Sequence, residues 1–162
     1  MSSDLAKFHN VSCFFAALAH GAENAIGQSA NSVCFLAGKR LAREAIEKTD
    51  TTTDPVQALR MVTTALAQRG ISWEGEEFQG EREHLIECDG AVKRMRLIFR
   101  TCMVRNTLFT YAREQKQSLC YFSHGIFAGA MEKIMPGSSV KIEIIQACPE
   151  ACIEEMVWEE KQ

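Results

Sequence analysis

Residues 102–158 of the chain read CMVRNTLFTYAREQKQSLCYFSHGIFAGAMEKIMPGSSVKIEIIQACPEACIEEMVW. In this segment the spacing of apolar residues predicts a helix over about Met103–Gln115 and another over about Cys120–Met135, which a Pro-Gly pair ends. Two strands are predicted to follow, Val140–Ala147 and Ile153–Glu159, with a short proline-containing turn between them. The segment therefore predicts two helices and a β-hairpin, and it holds four of the seven cysteines of the chain.

The N-terminal segment predicts a first helix with an unusual distribution of apolar residues. Asp4 is a suitable N-cap, and the helix is expected to end near Gly21. Its second half, which contains the run VSCFFAALA, is apolar on nearly every side. A helix of this kind is expected to be buried, either within its own chain or against a partner subunit.

Two more helices are predicted before residue 70. The second helix begins at Ser29 or Ser32 and ends near residue 48, and its Gly38 is expected to permit the close approach of a helix or a ligand. Its predicted inward stripe is Val33, Leu36, Ala37, Leu41 and Ala45. The third helix has Asp54 as N-cap and Pro55 as its first residue, and a glycine ends it. Its predicted inward stripe is Val56, Leu59, Val62, Thr63 and Leu66.

From Ile71 onward the apolar period changes from that of a helix to that of a strand. Apolar residues alternate with other residues near Ile71–Gly75 and again over Lys93–Arg100, and the apolar pair Leu85-Ile86 lies between these runs. The Asp89-Gly90 pair between the last two runs is typical of a hairpin turn. We therefore predict an antiparallel meander. The complete order, N-terminal helices, meander, two helices and a C-terminal hairpin, predicts an α+β fold with helices packed on one antiparallel sheet.

Composition narrows the classes of protein that fit. The 162 residues suit a single domain over residues 1–162. A net charge of -3 and a pI of about 5.8 give no reason to expect a nucleic-acid partner. The longest apolar run is too short for a membrane span, which needs about 20 residues. An odd number of cysteines favours a reducing compartment, so we expect a cytoplasmic protein.

The cysteines of residues 102–158 are the main candidate for chemistry. Structural zinc takes four thiolate ligands, or three together with a histidine or a carboxylate. Cys148 and Cys152 offer two sulfur atoms from one turn, and Cys120 offers a third. The fourth ligand could be Cys102, Glu143 or His124. The alternative is that these cysteines are small core residues, since cysteine is among the most buried residue types.

Catalysis has little positive support in the sequence. Cys120 and His124 share one helical face, a spacing that suits a thiolate nucleophile and its base, but no orienting third group is evident. The sequence contains no Walker loop and no GxGxxG, HExxH or GxSxG motif. On the strand Lys93–Arg100, Arg94, Arg96 and Arg100 share one face that is exposed to water or to an anion. An enzyme is therefore the less favoured interpretation.

The last third of the chain is also rich in aromatic and methionine side chains at helical spacing. Such a set usually forms a core, but helices over a sheet can also wall an apolar pocket. In that case the expected ligand contacts are Phe122, Phe127, Met131 and Trp158.

Several of these features together resemble a known family. A cysteine precedes a helix of small residues (Cys120, Gly125, Gly129), and a Pro-Gly turn, the strand VKIEI and a cysteine-containing hairpin follow. Upstream, FLAGKRLAREAIEK and DPVQALRMVTTALAQRG supply the N-terminal helices. In these features residues 30–159 resemble the 4-vinyl reductase domain family, also described as hydrocarbon-binding proteins. The resemblance implies a fold related to transport-particle subunits and haem nitric-oxide sensors, a homodimer and a small apolar ligand.

The same resemblance implies a metal. In relatives that sense aromatic compounds, zinc is held by three cysteines and a glutamate; Cys120, Cys148 and Cys152 match the cysteines, and Glu143 matches the acid. Cys102, Cys120 and a terminal cysteine also resemble the C-terminal part of iron–sulfur transcription regulators, which implies an iron–sulfur cluster as the second possible cofactor. No helix-turn-helix motif precedes them.

The favoured hypothesis is a homodimeric domain that binds or senses a small apolar molecule and carries a cysteine-rich metal site. The competing hypotheses are a reductase-like or thiol-dependent hydrolase-like enzyme that uses Cys120 and His124, and an interaction module that resembles transport-particle subunits.

Overall fold

The computed structural model describes residues 3–46, 49–71, 75–100, 118–147 and 151–160. Within these ranges the chain forms four helices and five strands. The helices are α1 (Ser3–Ile26), α2 (Ser29–Ala45), α3 (Pro55–Ala67) and α4 (Ser118–Ile134). The strands are β1 (Gly75–Glu77), β2 (Ile86–Asp89), β3 (Val92–Phe99), β4 (Ser138–Ala147) and β5 (Cys152–Glu160). The predicted helix over Met103–Gln115 lies outside the described residues. No helix within the described ranges is long and apolar enough to cross a bilayer.

The strands form one open antiparallel sheet, so the predicted α+β class is confirmed. The order β1-β3-β5-β4 leaves β4 at one edge. At the other edge, β1 and β2 each pair with β3 rather than with one another, as the registers Gly75↔Phe99 and Ile86↔Met95 show. The Asp89-Gly90 turn between β2 and β3 forms as predicted, with Gly90 at a φ of 61°.

One face of the sheet carries the helices and the core. Alternate residues of β5 point to this face, so Met156 and Trp158 are fully buried together with Met95 and Leu97 of β3. Helix α4 packs on them, and Phe127 meets Phe99 edge to face, with 5.9 Å between the ring centroids. The described residues thus share one apolar core beneath α4.

Helix α3 forms as its local sequence predicts. The carboxylate of Asp54 accepts hydrogen bonds from the backbone N–H groups of Val56 and Gln57, and Pro55 occupies the first turn. The buried stripe consists of Ala58, Leu59, Val62 and Leu66. The capping residues and the spacing of the apolar residues indicate the same helix, which explains why the prediction succeeded.

Helices α2 and α4 approach each other closely at their glycines. A Cβ atom built on Gly125 would lie 2.0 Å from the carbonyl oxygen of Phe35, and one on Gly38 would lie 2.1 Å from that of Phe122. The two backbones therefore touch, as the prediction for Gly38 anticipated. Next to this contact, Glu132 of α4 accepts a hydrogen bond of 2.7 Å from Lys39 of α2.

This contact overturns the predicted inward stripe of α2. Val33, Leu36, Ala37 and Leu41 are exposed, and the buried residues are Ala30, Gly38 and Ala42. The prediction was wrong because it followed the largest apolar side chains, whereas a close helix contact selects the smallest ones. The large side chains of α2 consequently face away from α4.

Helix α1 also differs from its prediction. It continues past Gly21 to Ile26, and the large apolar residues of its second half are exposed in the chain, with Phe14 at 66%. Ala16 and Ala19 are its buried residues. Near its C-terminal end Glu23 accepts a hydrogen bond of 2.9 Å from the backbone N–H of Ser118, at the start of α4. A carboxylate at a helix N-terminus is favourable because it faces the positive end of the helix dipole.

Candidate functional site

A cleft opens between α2, the first half of α4 and the edge strand β4. Its volume is about 690 Å³. Its lining residues are Ser32, Phe35, Leu36, Tyr121, His124, Lys141, Ile142, Glu143 and Ile144. Most of this lining is aliphatic or aromatic, and the volume is within the range of small-molecule sites in proteins, about 300–1,000 Å³.

His124 is the buried polar side chain of the cleft wall. It is 4% exposed, and its Nε2 atom lies 3.2 Å from Oε1 of Glu154, a residue of β5. Its ring lies beside that of Tyr121, with 5.8 Å between the centroids. The other ring nitrogen, Nδ1, is buried and has no hydrogen-bond partner among the described residues. Buried polar atoms nearly always have a partner, and the described residues do not supply one for this nitrogen.

Glu154 joins His124 to the start of β5. The thiol of Cys152 donates a hydrogen bond of 3.4 Å to the same carboxylate oxygen, Oε1. The carboxylate therefore stands between the histidine and the cysteine. In a nucleophilic cysteine site the histidine stands in the middle, between the thiol and the orienting group. This order differs from that of a nucleophilic site built on Cys152, and the predicted pair of Cys120 and His124 stays a prediction.

Three of the four predicted metal ligands lie among the described residues. Cys120 lies in the first turn of α4 and Cys152 at the start of β5, both near the helix-bearing face, whereas Cys148 lies outside the described residues. Glu143 pairs in register with Glu155, three residues from Cys152 along β5, and therefore points to the opposite face of the sheet. Among the described residues no group of three or more Cys, His, Asp or Glu side chains is arranged to hold a metal ion. The metal site remains a prediction.

The predicted ligand contacts lie mainly in the core. Phe127, Met131 and Trp158 are at most 3% exposed and pack between α4 and the sheet. Phe122 is half-buried against the same core. None of the four is among the described residues that line the cleft. Their contact with a ligand stays a prediction, while the alternative interpretation of these aromatic residues as core agrees with their burial.

Two features of the site were missed by sequence reasoning. Phe35 and Leu36 were not considered as pocket residues, because the contribution of α2 depends on how it crosses α4. Glu154 had a detectable signal. It occupies an alternate position with Cys152, Met156 and Trp158 on the buried face of β5, and an acidic residue in such a series requires a partner.

The opposite face of the sheet carries a separate ionic cluster. Glu155, 7% exposed, accepts hydrogen bonds from Arg82 and Arg94, and Nε of Arg96 lies 3.9 Å from it. Burial raises the pKa of Glu155, but the hydrogen bonds and charges of Arg82 and Arg94 outweigh burial and hold its pKa below the ordinary value. Two of the arginines predicted to face water or an anion, Arg94 and Arg96, thus face an internal carboxylate, and Arg100 pairs with Glu76 at 3.0 Å.

Comparisons with known proteins place the fold. No protein-family model matches the sequence, and no curated protein matches it. Among solved structures, the chain is similar to the phenol-responsive sensory domain of the transcription activator PoxR, determined with phenol. The two chains share a fold. The TM-score is 0.58 with 11% sequence identity, and the alignment covers 91% of this chain and 74% of the PoxR chain. At this identity the likeness concerns the fold and leaves the ligand open.

Proposed function

We propose that the chain is a small-molecule-binding sensor domain whose ligand occupies the cleft between α2, α4 and β4. The observation that carries this proposal is the cleft itself, with its mainly apolar lining, a volume of about 690 Å³ and a buried histidine in its wall. Apolar walls with a few fixed polar groups are the usual composition of a ligand site. A ligand with a mostly apolar surface is therefore expected.

The similarity to PoxR supports the sensing part of the proposal. That protein's domain responds to phenol and belongs to a transcription activator. Because this chain has the same fold, we extend the sensing role to it as part of the proposal. We propose that ligand binding changes either the self-association of the chain or its contact with a partner. We also propose that the chain forms a single domain and acts in the cytoplasm.

Isothermal titration calorimetry with indole as the probe tests the cleft. Ile144→Trp would fill the cleft, because Ile144 lines it, and should abolish binding of the probe. Ile145→Trp is the matched control, since Ile145 is the next residue, 48% exposed at the strand irregularity and not in the lining. Loss of binding in both variants, or full binding in both, would contradict the proposed location of the ligand.

A homodimer is the second part of the proposal, and the exposed apolar side chains of α1 and α2 favour it. Val11, Phe14, Phe15 and Leu18 have the spacing of one helical face, and Ile26, Val33, Leu36 and Leu41 are also exposed. At roughly 100 Å² of exposed surface each, these eight side chains offer about 800 Å². This is about the area that each partner buries in a stable interface. Sedimentation velocity should show Leu18→Glu as a monomer, whereas Gln28→Glu, with the same charge change at an exposed polar position, stays dimeric.

Metal binding by Cys120, Cys148 and Cys152 is the third part. The thiolates would suit zinc, with an iron–sulfur cluster as the alternative. The geometry favours Glu154 over Glu143 as the accompanying carboxylate, because Glu154 contacts Cys152 and Glu143 lies on the other face. Elemental analysis of purified protein should find one zinc per chain, and Cys148→Ser should remove it. Purified protein that contains no metal, and whose stability does not change in Cys148→Ser, would refute this part.

A further inference from the structure

We infer that the cleft selects flat apolar ligands in which a hydrogen-bond donor and an acceptor lie side by side, because the backbone of β4 forms one of its walls. The inference rests on the proposed function, since it names the class of ligand for the same cleft. β4 is an edge strand of the sheet, and four consecutive residues of it, 141–144, line the cleft. Successive side chains of a strand point to opposite faces. Four residues in a row therefore border one cleft only where the edge of the strand faces it.

One hydrogen bond shows which backbone groups of β4 point outward. Along an antiparallel strand, residues whose N–H and C=O groups both face the partner alternate with residues whose groups both face away. Val140 is of the second kind, because its N–H donates to Oε1 of Glu132 at 3.2 Å instead of pairing with β5. Ile142 and Ile144 follow at alternate positions, so their N–H and C=O groups also point outward, and both residues line the cleft. Within the described ranges, no hydrogen bond occupies these outward groups.

The other side of the sheet gives the same assignment. The carbonyl oxygen of Arg96 in β3 accepts a hydrogen bond of 2.9 Å from the N–H of Phe78, so the backbone groups of Arg96 face away from β5. Arg96 lies opposite Glu155, and Glu155 lies opposite Glu143 of β4. The backbone groups of Glu155 therefore face those of Glu143. The residues on either side of Glu143 must then present their groups outward.

The free part of this edge is too short for an added strand but long enough for a small molecule. Glu132 occupies the N–H of Val140 at one end, and at the other end the pairing with β5 shifts register between Ile144 and Gln146. Strands usually have about five or six residues, and irregularities of this kind protect an edge from strand addition. Only Ile142 and Ile144 remain between these two points. The N–H and C=O of one such residue point in the same direction, so a ring with an adjacent donor and acceptor can pair with both.

The apolar walls turn this pairing into selectivity. Phe35 and Leu36 of α2 and Tyr121 of α4 surround the cleft, so a ring that enters it displaces water from the edge of β4. A ligand with a donor and an acceptor replaces both hydrogen bonds of the edge, whereas a ligand with a donor alone leaves a backbone N–H unpaired. Sites that hydrogen-bond a ligand reject analogues that leave a polar group of the protein unsatisfied.

Indole and 7-azaindole provide a matched pair of probes. They have the same shape, and both are uncharged at neutral pH. Both carry a ring N–H, but only 7-azaindole has an acceptor nitrogen next to it. Calorimetric titration of the wild-type chain should give a dissociation constant about tenfold lower for 7-azaindole than for indole, as expected for one additional buried hydrogen bond.

Proline variants test whether the backbone of β4 is the origin of the preference. Proline has no N–H, and an edge strand tolerates it where its nitrogen faces away from the partner strand. Ile142→Pro and Ile144→Pro each remove one outward N–H, and Ile142→Ala and Ile144→Ala are the matched controls, which shorten the same side chains but keep the N–H. The preference for 7-azaindole should disappear in at least one proline variant and persist in both alanine variants.

Amide NMR of the wild type gives a second measurement, which does not depend on the folding of any variant. The amide proton of Ile142 or Ile144 should shift downfield on saturation with 7-azaindole, because it gains a hydrogen bond, and should shift less with indole. The amide protons of Lys141 and Glu143 face β5 and serve as references.

The outcomes separate this inference from the proposed function. If neither probe binds the wild type, the proposed use of the cleft fails, and the inference fails with it. If the probes bind equally, if neither amide proton responds, or if both proline variants keep the preference, the inference is overturned while the proposed function stands. A preference of about tenfold for 7-azaindole, together with the downfield shift and the loss in a proline variant, supports the inference.

Discussion

Replacing Gly125 with alanine tests the most unusual packing feature of the fold, the backbone contact between α2 and α4. The added methyl group would lie 2.0 Å from the carbonyl oxygen of Phe35 and 2.8 Å from its carbonyl carbon, where 3.4 Å or more is an ordinary contact. The obstacle is the backbone of α2, which has no alternative rotamer. The helices would therefore have to separate by more than 1 Å along their shared surface.

The expected loss can be stated as a net free energy of unfolding. Overpacking of this kind costs about 1–3 kcal/mol, and separation of the two helices places Gly125→Ala at the upper end of that range. The alanine recovers roughly 0.5–1 kcal/mol because glycine is the poorer helix former. We therefore expect a net destabilisation of about 2 kcal/mol, or a fall in Tm of about 4–8 °C for a domain of this size.

Two other glycines provide the controls. A methyl group on Gly129 would lie 2.8 Å from the carbonyl oxygen of Lys39, so Gly129→Ala should be destabilising by a smaller amount. Apart from the adjoining backbone of α1, no atom of the described residues lies within 4 Å of a methyl group on Gly21, and Gly21→Ala should stabilise by roughly 0.5–1 kcal/mol. Urea unfolding gives the free energy of unfolding of the three variants, which can be compared provided that their m-values are equal. Gly125→Ala as stable as the wild type, or more stable than Gly21→Ala, would refute the backbone contact.

The remaining predictions concern polar contacts. Glu155→Gln leaves Arg82 and Arg94 without their carboxylate and should cost about 3 kcal/mol in urea unfolding, whereas Glu143→Gln on the same face should be nearly neutral. The pKa of Glu155 is lower in the folded chain than its ordinary value of 4.5, so its contribution to stability is fully present above pH 4.5 and is lost as the pH falls through the folded pKa. The free energy of unfolding should therefore depend less on pH in the acid range in Glu155→Gln than in the wild type. The same pH dependence in both proteins would exclude the shift. Glu23→Gln should lower Tm by weakening the hydrogen bond to the start of α4, and an unchanged Tm would argue against that contact. Asp54→Ala should cost about 1 kcal/mol by removing the N-cap of α3, and no loss in urea unfolding would contradict the cap.

The fold could be predicted where local chemistry determines it. Asp54 and Pro55 specify the start of α3, and Asp89-Gly90 specifies the hairpin turn between β2 and β3. The strand predicted over Ile153–Glu159 also forms, as β5 over Cys152–Glu160. In each case neighbouring residues in the sequence carry the whole signal, so no knowledge of the tertiary structure is required.

The orientation of α2 could not be predicted by the same means. Hydrophobic period assigns the inward side to the largest apolar residues, but Gly38 and Gly125 allow two backbones to touch and so turn the small residues inward. Once α2 is oriented by that contact, Phe35 and Leu36 fall beside β4 and form a wall of the cleft. The cleft is thus a product of contacts distant in sequence.

The candidate site could likewise be predicted only in part, because its residues are distant in the sequence. His124 was recognised as a possible functional residue but was paired with Cys120, four residues away on the same helix. Its actual partner, Glu154, is 30 residues away on β5. A carboxylate on the buried face of a strand was a usable signal, because such a group needs a donor, although the sequence alone offers several candidates for that donor.

Methyl NMR of isoleucine residues during titration with indole tests the central claim, that the cleft binds a small apolar molecule. Ile142 and Ile144 line the cleft, whereas Ile98 and Ile153 lie on the opposite face of the sheet and serve as internal references. The account predicts saturable shifts of the Ile142 and Ile144 methyl signals with the reference signals unchanged. Shifts that are absent, that never saturate, or that are as large at Ile98 and Ile153 would contradict it.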